Sequence, residues 1–213
     1  MSSFDPEQLI MVVDAYDVVL LPCRRSVVEA FRASGKRLLV SAEKNCWPVG
    51  SPCAVCGGHS SSGSADHEAC ASGFPNLNSG GYMGTAAAIS DAFEWIARNG
   101  HRRSEMNDDQ GALWQYYRAF PDRVGLDHRQ SIWSVLLGSA ISSFRVLPAA
   151  EPCGRIYSSY IDDEVCFLHA NGNSKTQTLQ PLLDEVNRVC GYASDPVRRI
   201  SQYHGIQQSR VLW

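Results

Sequence analysis

The chain has 213 residues, 44% of them hydrophobic, and a formal net charge of −3, a size and balance that suit one compact domain with a core of its own. Mild acidity argues against nucleic acid or an anionic membrane as partner, since both select a clustered positive face. The basic pairs Arg24-Arg25, Arg102-Arg103 and Arg198-Arg199 are too short and scattered to track a phosphate backbone, and no apolar run approaches the roughly 20 residues of a transmembrane helix.

At the start, Met1-Ser-Ser-Phe-Asp-Pro-Glu7 has neither a basic flank nor an apolar core segment, so no signal peptide is expected there. Taken literally that places the chain in the cytosol, and the 8 cysteines point the other way, toward an oxidising compartment. Leu9-Ile-Met-Val-Val-Asp14 reads as a strand buried on both faces. Ser26 to Ser34 carries Val27, Val28, Ala30 and Phe31 at helical spacing, and Gly35 stops it. Arg37-Leu-Leu-Val-Ser-Ala42 reads as the next buried strand, which makes a strand–helix–strand α/β start. From about 49 to 73 a Cys/Gly/Ser-rich insertion breaks the pattern. A helix is expected from about Thr85 to Asn99, another from Asp108 to about Phe120, and a short strand over Val165-Cys-Phe-Leu-His169. The tail, about 178–213, opens with helical spacing through Leu179, Leu182, Leu183, Val186 and Val189.

A buried strand ending in Asp14-Ala-Tyr-Asp17 is unusual, because carboxylates cost several kcal/mol to desolvate unless paired or metal-bound. Converging on one hard cation would resolve that cost, and solvated or capping roles would resolve it as well. His169 ends another apolar strand and is a third candidate ligand or a hydrogen-bonded structural residue. It precedes the turn Ala-Asn-Gly172-Asn-Ser-Lys175, whose lysine either neutralises phosphate as a point charge or starts a helix. Asn78-Ser-Gly80-Gly81 reads as a tight turn or as a close backbone approach to ligand, with free N–H groups of the following helix beside it. Asp108-Asp109-Gln110 is a helix-start cluster, read on spacing as a cap.

Taken in order, Val13-Asp-Ala-Tyr-Asp-Val18, Ser41-Ala-Glu-Lys-Asn-Cys-Trp-Pro48, Asn76-Leu-Asn-Ser-Gly-Gly-Tyr-Met-Gly84, Asp108-Asp-Gln110, Leu126-Asp-His128 and Leu168-His-Ala-Asn-Gly172 resemble the glycosyltransferase domain of procollagen lysyl hydroxylases. The resemblance implies an α/β, GT-A-like nucleotide-sugar transferase fold forming a single domain over 1–213. With only 8 residues before Leu9, much of that family's N-terminal βαβ portion is expected to be lacking. By the same resemblance Asp14, Asp17 and His169 bind Mn²⁺ (or Mg²⁺) and the diphosphate of UDP-galactose or UDP-glucose. Tyr16 lies near the nucleotide, Asn78, Gly80 and Gly81 shape the donor pocket, and Gly172 and Lys175 line it. Trp47 and Asp108 stand on the sugar and acceptor side, and Asp109 is the candidate catalytic carboxylate. The implied partners are a UDP-sugar and a protein or glycan acceptor, collagen-like polypeptides among them, in the endoplasmic reticulum lumen or secretory pathway. No His-x-Asp iron motif follows, so lysine hydroxylation is not expected.

The insertion offers its own chemistry. Cys53-x2-Cys56 and His67-x2-Cys70 have spacing compatible with a small zinc site, and the same cysteines suit disulfides. Two further readings stand beside hexosyl transfer. One is a catalytically inactive truncated relative that binds a nucleotide or protein, and the other is an interaction module organised by the cysteine-rich loop.

Overall fold

The computed structural model describes residues 5–47, 70–99, 108–148 and 152–191. Its first sheet has four strands in the order β1 (Leu9–Val13), β4 (Asn76–Thr85), β3 (Leu38–Glu43), β5 (Val124–Asp127). β4 runs antiparallel to β1 and β3, while β3 and β5 are parallel. β3 is buried throughout, as its apolar run predicts. β1 differs from expectation: it is the sheet's edge strand, half-buried along its length, because β4 covers one side only.

A second sheet joins β2 (Val18–Leu20), β10 (Phe167–His169) and β6 (Trp133–Val135) in that order. The third is a meander of β7 (Phe144–Val146), β8 (Ile156–Ser158) and β9 (Asp163–Val165). The single strand expected over Val165–His169 is therefore two, divided at Cys166, where the chain leaves one sheet for another. A Cys23–Cys166 disulfide and a hydrogen bond from the Leu21 N–H to the Cys166 carbonyl at 2.8 Å anchor that crossing point.

Helices of the described residues pack around these sheets. In α1 (Val27–Ala33) the Ser26 hydroxyl accepts from the Glu29 N–H, and Gly35 takes a left-handed φ of 64° just past the end. α2 (Ala86–Asn99) and α3 (Asp109–Ala119) cover one face of the first sheet, with Ala88, Ala92, Leu113 and Trp114 in a core shared with Leu38, Val40 and Leu77. α4 (Gln180–Cys190) follows a π-helical turn over Lys175–Leu179 and is tied down by Cys153–Cys190. The helical tail expected beyond residue 191 lies outside the described residues. None of the described helices is long and apolar enough to cross a membrane.

Where the first and third sheets approach one another, Tyr160 packs edge-on against Phe74 and Phe144, at 5.3 and 6.0 Å between ring centroids. Its hydroxyl accepts from Lys44 Nζ at 3.0 Å and from the Ala140 N–H at 3.2 Å. Burial raises the phenol's pKa, but hydrogen bonds from Ser143, Lys44 and Ala140 outweigh burial and bring it down to about 8. A folded value below the usual ~10 means that ionisation favours the folded chain. This contribution is complete above the unfolded value and is lost as pH falls through the folded one. An absorbance titration at 295 nm is expected to show a tyrosine ionising near pH 8 that disappears in Tyr160→Phe and moves upward in Lys44→Met.

Candidate metal centre

The stretch Asp14–Asp17 is the link by which the chain passes from β1, in the first sheet, to β2, in the second. Both ends of the link are pinned by backbone. The Asp14 N–H extends the β1–β4 ladder to the Gly80 carbonyl at 3.0 Å, and the Asp17 carbonyl accepts from the Ala170 N–H at 2.7 Å. His169 closes β10, opposite Val18 of β2 and Val135 of β6, and its carbonyl accepts from the Leu136 N–H at 2.9 Å. Two carboxylates and an imidazole thus meet where the two sheets adjoin.

His169 Nε2 lies 3.5 Å from Asp17 Oδ1 and 3.7 Å from Asp14 Oδ2, and Lys175 Nζ lies 3.3 Å from Asp17 Oδ2. One ligand atom from each of Asp14, Asp17 and His169 falls within 4.8 Å of the others. The imidazole is only 2% exposed, yet neither ring nitrogen has a hydrogen-bond partner among the described residues. Leaving a buried polar group unpaired costs about 1–3 kcal/mol. A cation bound by the imidazole and the two carboxylates removes that cost, and the mixed nitrogen–oxygen donor set suits Mn²⁺-like metals. The carboxylates are driven apart in acidity. Burial first, then Asp17 and Asp109, raise the pKa of Asp14 against His169 and Lys175. The contact with His169 first, then Lys175, holds Asp17 below its ordinary value despite burial. At 3.5 Å that contact is longer than an ordinary N–H···O hydrogen bond.

The glycines act on this centre through what they leave out. A Cβ added at Gly80 would meet the His169 ring, with Nε2 at 2.6 Å, and one added at Gly81 would come 2.6 Å from Trp133 Nε1. Of the two readings of this segment the tight turn is excluded, since it is strand β4, and its bare backbone seats an imidazole on Gly80 and an indole on Gly81. The expected anion site at the start of α2 is corrected as well. The Ala86 and Ala87 N–H groups donate to the carbonyls of Gln8 and Pro6, and the Ala88 N–H to Thr85 Oγ1. Thr85 also pairs with Leu9, at the far end of β1 from Asp14.

Behind the centre sits a buried carboxylate that sequence reading quoted without assigning a role. Glu43, 1% exposed at the end of β3, accepts from Asn78 Nδ2 and Gln110 Nε2 through Oε1, and from Asn171 Nδ2 through Oε2, all at 3.0 Å. Asn78 is thereby turned inward, its Oδ1 accepting from Ser41 Oγ and the Gly80 N–H. Gln110 Nε2 also donates to the Trp47 carbonyl, and its Oε1 accepts from the Ser79 N–H. Its amide partners lie 35, 67 and 128 residues from Glu43 along the chain, so no local pattern in the sequence marks this network. In Leu126-Asp-His128, Asp127 accepts from the N–H groups of Ser131, Ile132 and Trp133, so it shapes the turn that carries Trp133.

The remaining candidates divide. Tyr16 is 96% and Trp47 55% exposed, each offering an aromatic face to solvent beside the centre. Asp108 is the N-cap of α3, its carboxylate accepting from the Gly111 N–H at 2.6 Å. Asp109 is exposed in the first turn, close enough for its charge to act on Asp14. Gly172 has a left-handed φ of 60° in the turn between His169 and Lys175. In the insertion Cys70, and before it Cys46, are disulfide-bonded, and no described cysteine is free. A disulfide sulfur is not a thiolate ligand, so at Cys70 the disulfide reading holds and the zinc reading does not; Cys53, Cys56 and His67 lie outside the described residues.

The family model of the PLOD GT domain matches residues 2–189. The chain belongs to that family. Among curated relatives, it is 30% identical over 179 residues to the human protein named multifunctional procollagen lysine hydroxylase and glycosyltransferase LH3, and 28% to its Rattus norvegicus counterpart, in each case over 80% of this chain and 21% of the relative. A shorter stretch of 44 residues is 43% identical to a Drosophila melanogaster procollagen-lysine,2-oxoglutarate 5-dioxygenase, covering 21% of this chain and 6% of that one. The chain thus spans about a fifth of the length of the human and rat relatives.

Replacing Glu43 by Ala leaves three inward-facing amides without their acceptor. Denaturant unfolding should register a loss of about 3 kcal/mol or more, and Glu43→Gln, which keeps one carbonyl oxygen, a smaller one.

Proposed function

We propose that this domain is a metal-dependent hexosyltransferase that moves galactose or glucose from a UDP-sugar to an acceptor hydroxyl, with a collagen-like polypeptide as acceptor. The observation that carries the reading is the buried, unpartnered His169 imidazole beside Asp14 and Asp17 in a chain of the PLOD GT domain family. The names of the human and rat relatives, which join lysine hydroxylation with glycosyl transfer, support the class of acceptor.

In this reading Asp14, Asp17 and His169 hold Mn²⁺ or Mg²⁺. The cation would neutralise charge on the diphosphate and stabilise UDP as leaving group. Lys175, already 3.3 Å from Asp17, adds a second positive charge toward phosphate oxygens. Tyr16 presents its exposed ring to the nucleotide, Trp47 stands over the transferred sugar, and Asp109 orients or deprotonates the acceptor hydroxyl. Glu43 touches none of these groups directly; through Asn78, Gln110 and Asn171 it sets the backbone of Gly80, Trp47 and the turn after His169. We further infer that residues 1–213 form one domain in the oxidising secretory pathway, a reading supported by Cys23–Cys166 and Cys153–Cys190.

In a UDP-release assay with UDP-galactose and UDP-glucose, Mn²⁺ should stimulate turnover, chelation should abolish it, and Asp17→Ala should lower it at least a hundredfold. Turnover equal in the wild type and Asp17→Ala contradicts the reading. UDP binding with no turnover in the wild type supports instead an inactive relative that retains the nucleotide site.

A further inference from the structure

Beside Asp14 and Asp109 stands an aromatic pair that the metal centre does not use. Tyr82 lies in β4 opposite Val12 of β1 and Val40 of β3, which puts it two positions along β1 from Asp14. Its ring centroid is 5.9 Å from that of Phe93 on α2, the planes tilted by 48°. Tyr82 is half-buried against the core that includes Val40 and Ala92, and its phenol makes no hydrogen bond to the described residues. Burial first, then the charges of Asp109 and Asp14, keep the phenol protonated and so a hydrogen-bond donor. Phe93 leaves 47% of its surface open to solvent, although Ala92 beside it is 1% exposed.

A pyranose ring is complementary to such a set. Its C–H face packs on an aromatic ring, while its rim hydroxyls donate to carboxylates and accept from a phenol. Asp109, exposed at the first turn of α3, is near enough for its charge to act on the Tyr82 phenol.

We propose that Phe93 and Tyr82, together with Asp109, form a pyranose subsite on the α2 side of the metal centre, with Phe93 supplying the stacking face and Tyr82 a hydroxyl donor. This deepens the transferase reading and rests on it for the identity of the sugar. The pyranose is either the hexose of the donor or a sugar carried by the acceptor, and the two are separable by experiment.

The test measures, for wild type, Phe93→Ala and Tyr82→Phe, the Mn²⁺-dependent affinity for UDP, UDP-galactose and UDP-glucose by calorimetry. Saturation-transfer NMR with methyl β-galactoside and methyl β-glucoside runs alongside. Phe93 is exposed, so its substitution leaves the fold intact by circular dichroism. Phe93→Ala should weaken sugar recognition about tenfold and Tyr82→Phe by less, with UDP affinity unchanged in both. A loss confined to the UDP-sugars places the donor hexose in the subsite, and a loss confined to the methyl glycosides places an acceptor sugar there. Sugar recognition that is equal in all three proteins, or absent from the wild type in both arms, overturns the subsite. If the wild type fails to bind UDP while its methyl-glycoside signal depends on Phe93, the transferase reading falls and the subsite stands.

Discussion

The site depends on an imidazole lying directly against a backbone that has no side chain at that point. His169 occupies the volume in which a Cβ at position 80 would sit, and that contact brings its ring to Asp14 and Asp17 at the junction of two sheets. Gly80 also accepts the Asp14 N–H through its carbonyl, so one residue fixes both the first carboxylate and the space for the histidine. The third ligand is fixed by the Ala170 N–H on the Asp17 carbonyl. All three candidate ligands are therefore set by main-chain contacts, which hold a site more firmly than side-chain contacts alone.

That arrangement concentrates unfavourable electrostatics. Asp14 and Asp17 are near neighbours, Asp109 adds a further negative charge, and the imidazole is buried with no hydrogen bond to either nitrogen among the described residues. Lys175 offsets part of this through Asp17, while Asp14 is left with a raised pKa. A divalent cation would stabilise a site so assembled, and would in turn favour an anionic diphosphate. The Glu43 network answers a different need. It buries a carboxylate among amide donors from β4, α3 and the turn after β10, so that segments far apart in the chain share one anchor just behind the metal centre.

Much of this was legible in sequence because the residues involved are chemically conspicuous. Carboxylates closing an apolar strand, a histidine closing another, and a glycine pair between them stand out before any fold is known, and the fold brings the two aspartates and the histidine together. Helices α1 and α2 also follow from periodicity, and α3 from the acidic cluster that opens it, with Asp108 as cap. The misses have physical causes. A continuous apolar run does not distinguish a central strand from an edge strand, so β1 was expected to be more buried than it is. Two glycines in a row signal an open backbone, and nothing local says whether ligand or protein fills it; here His169 and Trp133 do. The short strands β2 and β6 pair with β10 through contacts distant in sequence, and the three-residue lengths of β2 and of β6 to β9 leave no period to read. Free N–H groups were expected at the start of α2, and the segment from Pro6 to Gln8 satisfies them.

The central claim is that Asp14, Asp17 and His169 form one cation site, and titration of Mn²⁺ followed by electron paramagnetic resonance tests it most directly. The account predicts one Mn²⁺ bound per chain, more tightly when UDP is present, with binding lost in Asp17→Ala and His169→Ala and weakened in Gly80→Ala, where the imidazole is displaced. Mn²⁺ that binds all four proteins alike, or none of them, would contradict it.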